Sequence, residues 1–354
     1  MIRVGLDLHL RTSTCHILNG QGRRVKEKTI KGHWSRMLEY LEGLREPMEV
    51  CFEASCGYGT VHDRLRRFAD RVVVAHPGRT RLIFNAKRKN DRVDAQKLAK
   101  LLYLNEVPAV HVPSIDVRSW RELIEMRRRQ IDARVRVKNQ IRALLRGYGV
   151  VMPRGAGGLW TNKGQAWLKE LAWPTSIAAM RCELLMTQLQ QTNQIVARLT
   201  AKLDEIARQH PGVKLLRTIP GVGPRTAEAF VAYVDQPQRF ERINCAPAYF
   251  GLVPCQDSSG GKERLGHITK DGPGTVRKLL SEAAWRCIDK CEAMRADFER
   301  ITAGKKERRK IALIAIARRL TRIMLAMLKS GETWSEQRLG PQPPQPQESL
   351  TAAA

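Results

Sequence analysis

The chain has 354 residues, a length for two or three domains, and 43% of them are hydrophobic, which excludes wholesale disorder. Lysine and arginine number 62 against 35 aspartates and glutamates, and the net charge of +27 makes an acidic polymer the expected partner. No stretch approaches the roughly 18 apolar residues of a membrane span. The start, Met1 to Asp7, breaks into charge too early for a signal peptide, so a cytoplasmic protein without a membrane partner is expected.

The first hundred residues read as alternating strands and helices. Residues 3–9 alternate with Val4, Leu6 and Leu8 on one face, 13–18 form a second strand, Asn19-Gly20 signals a turn, and 25–30 form a third strand. A helix over 34–44, a strand over 48–52, a helix over 58–68, a strand over 71–75 and a helix over 91–104 follow. Three meandering strands and then βα units predict a mixed sheet flanked by helices. From about residue 113 the texture changes. A long basic helix over 117–148 carries Arg127, Arg128, Arg129, Arg134, Arg136, Lys138, Arg142 and Arg146. These cations read either as a solvated helix face or as contacts to nucleic acid, for which Arg128 and Arg136 are candidates. After a Gly/Pro-rich break at 153–158, a second long helix spans 175–209, with Ile195, Leu199, Leu203 and Ile206 in register for an antiparallel pair or a dimerising coiled coil. A third region covers 211–331, with helices at 275–290 and 305–329, and the Pro/Gln-rich residues 332–354 read as a disordered tail. The eight cysteines form no Cys-x-x-Cys pair, which speaks for buried reduced thiols and against zinc.

Three constellations carry chemistry. The first is acidic. Asp7 lies on strand one, opposite Val4 and Leu6; Glu53 closes the next core strand; Asp91 and Asp94 share one face of a helix start. A helix-capping role accounts for Asp91 alone, not for four acids. Four carboxylates at one sheet edge call for cations, and Mg²⁺ takes hard oxygen ligands while leaving positions for substrate phosphates.

The second constellation, Ile219-Pro220-Gly221-Val222-Gly223-Pro224-Arg225-Thr226, has the form of a helix-hairpin-helix turn, in which glycines admit a phosphate to backbone N–H groups; a plain tight turn between helices is the alternative. The third runs from Gly251 to Lys278 and sets Ser258-Ser259-Gly260-Gly261-Lys262 near Arg264, His267 and Arg277. A serine there can attack a phosphodiester if Lys262, Arg264 and Arg277 hold the phosphate. The segment offers no clear general base, His267 included, so chemistry alone reads it first as a Ser/Gly phosphate-binding loop.

Gly5-Leu6-Asp7, Glu53 and Asn90-Asp91-Arg92-Val93-Asp94-Ala95 resemble the RuvC-like DEDD domain of a transposase family of bacterial insertion sequences. The segments 218–223, 250–254 and 258–262 are similar to that family's C-terminal domain. This is the "one-ten" type, whose members are bridge-RNA-guided serine recombinases, and the resemblance covers about residues 1–330. It implies a RuvC/RNase H-like mixed sheet with helices over 1–112, a coiled-coil linker over 113–210, and a mainly helical transposase domain with a helix-hairpin-helix over 211–331. It further implies Mg²⁺ on Asp7, Glu53, Asp91 and Asp94, Ser259 as the nucleophile with Ser258 as its neighbour in the motif, a structured guide RNA, donor and target DNA, and a tetramer in which the acids of one protomer meet the serine of another. Gly221, Gly223, Arg225, Lys262, Arg264, Arg277, Arg128 and Arg136 are the expected nucleic-acid contacts. Two rivals stay open on the residues alone. One is a junction-resolving nuclease that uses water with the same acids. The other is a non-catalytic nucleic-acid-binding protein.

Overall fold

The computed structural model describes residues 1–55, 57–83, 90–153, 157–259 and 262–336, without the side chains of 257–259, 262 and 263. The chain divides into two compact units, one over Met1–Asp116 and the other from Val117 onward.

In the first unit, strands β1 (Ile2–Leu8), β2 (Thr12–Leu18) and β3 (Arg24–Lys31) form an antiparallel meander, since short turns suffice to reverse the chain. Helix α1 (Ser35–Glu42) then carries it across to β4 (Met48–Glu53), and α2 (Tyr58–Leu65) to β5 (Arg71–Ala75). These crossovers make β1–β4 and β4–β5 parallel, so the sheet order is β3-β2-β1-β4-β5. One face of the sheet (Val4, Leu6, Ile17, Val50, Phe52) packs on Met37, Leu38 and Leu41 of α1 and Val61 and Leu65 of α2. Short α3 (Pro77–Ile83) precedes α4 (Asp91–Leu104), which covers the other face by packing Leu98 and Leu102 on Cys51, Val73 and Ala75. The Asn90 side chain accepts a hydrogen bond from the Arg92 amide (3.1 Å), and Asn105 ends α4 in the left-handed region at φ 57°. The mixed sheet and its flanking helices are those expected from the strand alternation. Helix α3 was not anticipated, because only Thr80 is buried along it and no apolar period marks it.

In the second unit, α5 (Ile115–Gly147) and α7 (Ser176–Gln209) run antiparallel, with α6 (Asn162–Glu170) between them in sequence. Trp120 and Ile124, early in α5, share a core with Leu203 and Ala207, late in α7. Val137, Ile141, Leu144 and Leu145 meet Cys182 and Leu189 at the other end, with Leu168 of α6. The main core of the unit is built by α8 (Pro211–Leu216), α9 (Pro224–Val234), α10 (Cys245–Tyr249), α11 (Gly274–Lys290), α12 (Glu292–Thr302) and α13 (Arg309–Ser330), around Phe230, Phe250, Leu280, Leu320 and Met324. Between α10 and α11 the segment read as a loop instead forms an antiparallel hairpin, β6 (Pro254–Ser259) and β7 (Lys262–Ile268), pairing Ser259 with Lys262. A Gly-Gly pair between two short runs is a hairpin signal that the Ser/Gly composition obscured. Cys245 and Cys255 are exposed, against the expectation of buried thiols: one is the first residue of α10 and the other lies on this hairpin. No helix among the described residues is long and apolar enough to cross a membrane.

Candidate functional site

The acid site is assembled by the packing of α4 on the sheet. Gly5 is where the two elements touch: a Cβ there would stand 2.1 Å from the Ala95 carbonyl oxygen and 2.4 Å from the Ala99 nitrogen. The absence of a side chain lets the helix settle on β1, and side chains two residues apart on a strand share a face, so Asp7 lies on the Gly5 side beneath the start of α4. One donor atom each of Asp7, His9 and Asp91 gathers within 4.8 Å. His9 Nε2 is 3.3 Å from Asp7 Oδ2, an oxygen that is shut from solvent and has no partner in hydrogen-bonding geometry. Burial pushes the Asp7 carboxyl above its ordinary range; His9 pulls it back, and Asp91 and Asp94 push it further up. Asp94 lies 3.3 Å from Lys97 Nζ one turn along α4. Glu53 follows Phe52, which pairs with Leu6, so the parallel register sets Glu53 beside Asp7 and on the Cys51 face. The four anticipated acids thus lie at the C-terminal edge of β1 and β4 and the first turn of α4, with Asp7 and Asp91 in the tight group and Glu53 and Asp94 outside it. His9 was not anticipated. Its signal was the alternation itself, since His9 follows Asp7 at the next polar position, one residue past the end of β1. Two carboxylates and an imidazole gathered this closely fit a divalent cation.

The second unit holds the other candidates. Gly221 adopts φ 96°, and a Cβ on it would be 2.7 Å from the Cys287 nitrogen of α11, so this turn requires glycine on two counts. Gly223 precedes α9 with φ −83° and open space around it. The turn forms one wall of a cavity of about 500 Å³, whose lining includes Arg127 and Arg128 of α5 and Lys278, Arg286 and Lys290 of α11. Several of the cations expected at nucleic acid have internal partners. Arg225 pairs with Asp204 and, at 3.1 Å, with buried Glu228. Arg277 donates to the Phe250 and Asp271 carbonyls at 3.0 and 2.8 Å. Arg128 bridges Glu125 and Asp132 at 3.0 and 2.7 Å. Arg136, Arg264 and His267 are exposed. Ser258 and Ser259 end β6 and Lys262 begins β7, but their side chains, and Gly260 and Gly261 entirely, lie outside the described residues.

Two family models match the chain in order. A transposase model of the DEDD type of IS110 elements matches residues 4–150, and one described as the transposase IS116/IS110/IS902 family matches residues 213–299. The transposase for insertion sequence element IS1111A of Coxiella burnetii is 30% identical over 249 residues, covering 70% of this chain and 68% of that protein. The transposase for insertion sequence element IS1328 of Yersinia enterocolitica is 24% identical over 343 residues, 94% of this chain and 98% of its own. The first model takes in the acid site and the second the turn at Gly221 and the serine hairpin, and with a relative of that identity matched over two thirds of its length the chain belongs to the IS116/IS110/IS902 family of insertion-sequence transposases, enzymes that cut and rejoin DNA.

Proposed function

We propose that this transposase acts through a serine-linked DNA intermediate, with Asp7, Glu53, Asp91 and Asp94 holding Mg²⁺ in a RuvC-like first unit. The observation that carries the metal reading is the gathering of Asp7, His9 and Asp91 donor atoms within 4.8 Å of one another, where burial holds the Asp7 carboxyl above its ordinary range. A divalent ion there would neutralise phosphate charge as it develops. Ser259 is the nucleophile: its Oγ forms a bond to phosphorus, the bond from phosphorus to a deoxyribose oxygen breaks, and that oxygen leaves with a proton. Rejoining reverses the exchange, with a deoxyribose hydroxyl displacing the serine. Lys262 and Arg264 follow Ser259 on the hairpin, where their charge favours the phosphate. Helices α8 and α9, with Gly221 and Gly223, serve as a helix-hairpin-helix on the DNA backbone, a contact that carries no base information.

Sequence choice is assigned to a structured guide RNA that pairs with donor and target DNA. The net charge of +27 supports a protein that holds RNA and two duplexes by their backbones. The working assembly is a tetramer in which acids and serine come from different protomers.

The test is a denaturing gel of full-length protein with Mg²⁺, RNA transcribed from the flanks of its gene, and labelled DNA carrying the element junction. A covalent protein–DNA adduct is expected with the wild type and none with Ser259→Ala. An adduct surviving in that variant moves the nucleophile to Ser258 or elsewhere, and cleaved DNA without any adduct turns the reading to a nuclease that uses water.

A further inference from the structure

The acid site contains a nitrogen donor that a four-carboxylate pattern does not include. His9 stands just past the end of β1, where its amide donates to the Thr12 carbonyl at 3.0 Å and closes the turn into β2. The turn therefore fixes the backbone that carries the ring. The side chain is half exposed (49%), with Nε2 3.3 Å from Asp7 Oδ2. Donor atoms of Asp7, His9 and Asp91 all lie within 4.8 Å of one another. Around a six-coordinate ion with bonds near 2.1 Å, neighbouring donors stand about 3 Å apart and opposite donors about 4.2 Å. The 3.3 Å between His9 and Asp7 matches neighbouring donors of one shell, and the 4.8 Å limit on the group exceeds opposite donors by about 0.6 Å, a gap that small side-chain rotations close. The Asp7 oxygen nearest the ring is shut from solvent, and the His9 ring faces it across 3.3 Å.

We propose that His9 is a direct ligand of the divalent ion held by Asp7 and Asp91, and that its imidazole shifts the site's preference from Mg²⁺ towards Mn²⁺. The inference rests on the reading of the acids as metal-binding residues. Its physical basis is donor type. Mg²⁺ binds oxygen and dehydrates reluctantly, so an imidazole contributes little to its affinity; Mn²⁺ also favours oxygen but, as a first-row transition metal, gains more from an imidazole nitrogen than Mg²⁺ does. Carboxylates supply most of the attraction for either ion. The nitrogen discriminates between the two.

The experiment titrates metal-stripped full-length protein with Mn²⁺ alone, following the loss of the free-ion spectrum by electron paramagnetic resonance, and repeats the titration in competition with Mg²⁺. Electron spin-echo modulation of the bound Mn²⁺ reads out a coordinated ¹⁴N directly. The wild type is expected to bind Mn²⁺ at least about tenfold more tightly than Mg²⁺ and to show ¹⁴N coupling. His9→Ala should lose that coupling and about tenfold in Mn²⁺ affinity, while its Mg²⁺ affinity stays within about threefold. His9→Gln, with an oxygen donor, should restore part of the Mn²⁺ affinity without the coupling. Thermal melts of both variants in chelator establish that the fold survives. Bound Mn²⁺ without ¹⁴N coupling in the wild type, or unchanged preference in a folded His9→Ala, overturns the role of His9. Wild-type Mn²⁺ affinity in Asp7→Asn instead overturns the acid-site reading on which the proposal stands.

Discussion

Glu228 shows what burial does to one carboxylate. It lies on α9 at 1% exposure, with Oε1 3.1 Å from Arg225 and Oε2 without a hydrogen-bond partner. Burial pushes its carboxyl up to about 7, against the pull of Arg225 and Arg127 and with a further push from Asp204. The folded form therefore holds a proton that an unfolded chain releases near pH 4.5. Stability linked to that proton is full below the unfolded value and is lost as pH rises through about 7, by about 3 kcal/mol. Glu228→Gln replaces the protonated acid with a neutral group of the same shape. Thermal melts should superimpose on the wild type at pH 4.5, and the variant should be the more stable by about 3 kcal/mol at pH 8. A variant that melts below the wild type at pH 8 would show that the pair with Arg225 outweighs the cost of burial.

At the scale of elements, the acid site depends on one helix–strand contact. Gly5, Ala95 and Ala99 let α4 approach β1, and the approach brings Asp91 to Asp7. Gly5→Ala puts a methyl group into the α4 backbone, so the helix must move; the cost is about 3 kcal/mol or more. Urea unfolding should show that loss, and the variant should lose metal binding with it. Gly20→Ala, where nothing stands within 4 Å of the added Cβ, should leave both unchanged. Wild-type stability in Gly5→Ala would mean that the helix is not held by this contact. Helix α4 itself was legible, because its signals are local: Asn90 caps it, acids fill its first turn, and its observed bounds are the predicted ones. Strands β1 to β5 were legible for the same reason, alternation or a short apolar run between turn residues. The close approach at Gly5 was not, since a glycine in a strand pattern shows no partner until α4 is laid on it. Helix α12 escaped because only Met294 and Thr302 are buried along it. His9 belongs to no motif, and its approach to Asp7 is set by the turn into β2.

For the whole molecule, net charge does not say which cations meet a polymer. Arg225 finds Asp204 at a sequence separation of 21 and Arg277 finds the Phe250 carbonyl at 27, partners that no local pattern reveals. Those two arginines tie α9 to α7 and α11 to the segments at Phe250 and Asp271. Arg129 and Arg136 are instead exposed along α5, with no acid spent on them among the described residues. Contacts between such cations and phosphates release counterions, so the logarithm of affinity falls linearly with the logarithm of salt concentration. A protein with 6–10 phosphate contacts loses roughly 10³–10⁵ in affinity between about 50 and 200 mM salt. For full-length protein on duplex DNA of arbitrary sequence, Arg136→Gln should lower the salt slope by about one contact and leave the melting temperature unchanged. Arg225→Gln should do the reverse, lowering the melting temperature while the slope of the folded protein stays as in the wild type. Filter binding at several salt concentrations, with melts on the same samples, separates the two. Equal slopes for Arg136→Gln and the wild type would take that face of α5 off the DNA and leave it a solvated surface. A reduced slope in a fully folded Arg225→Gln would mean that the turn at Gly221 meets the backbone through an arginine that breaks its internal pairs to do so.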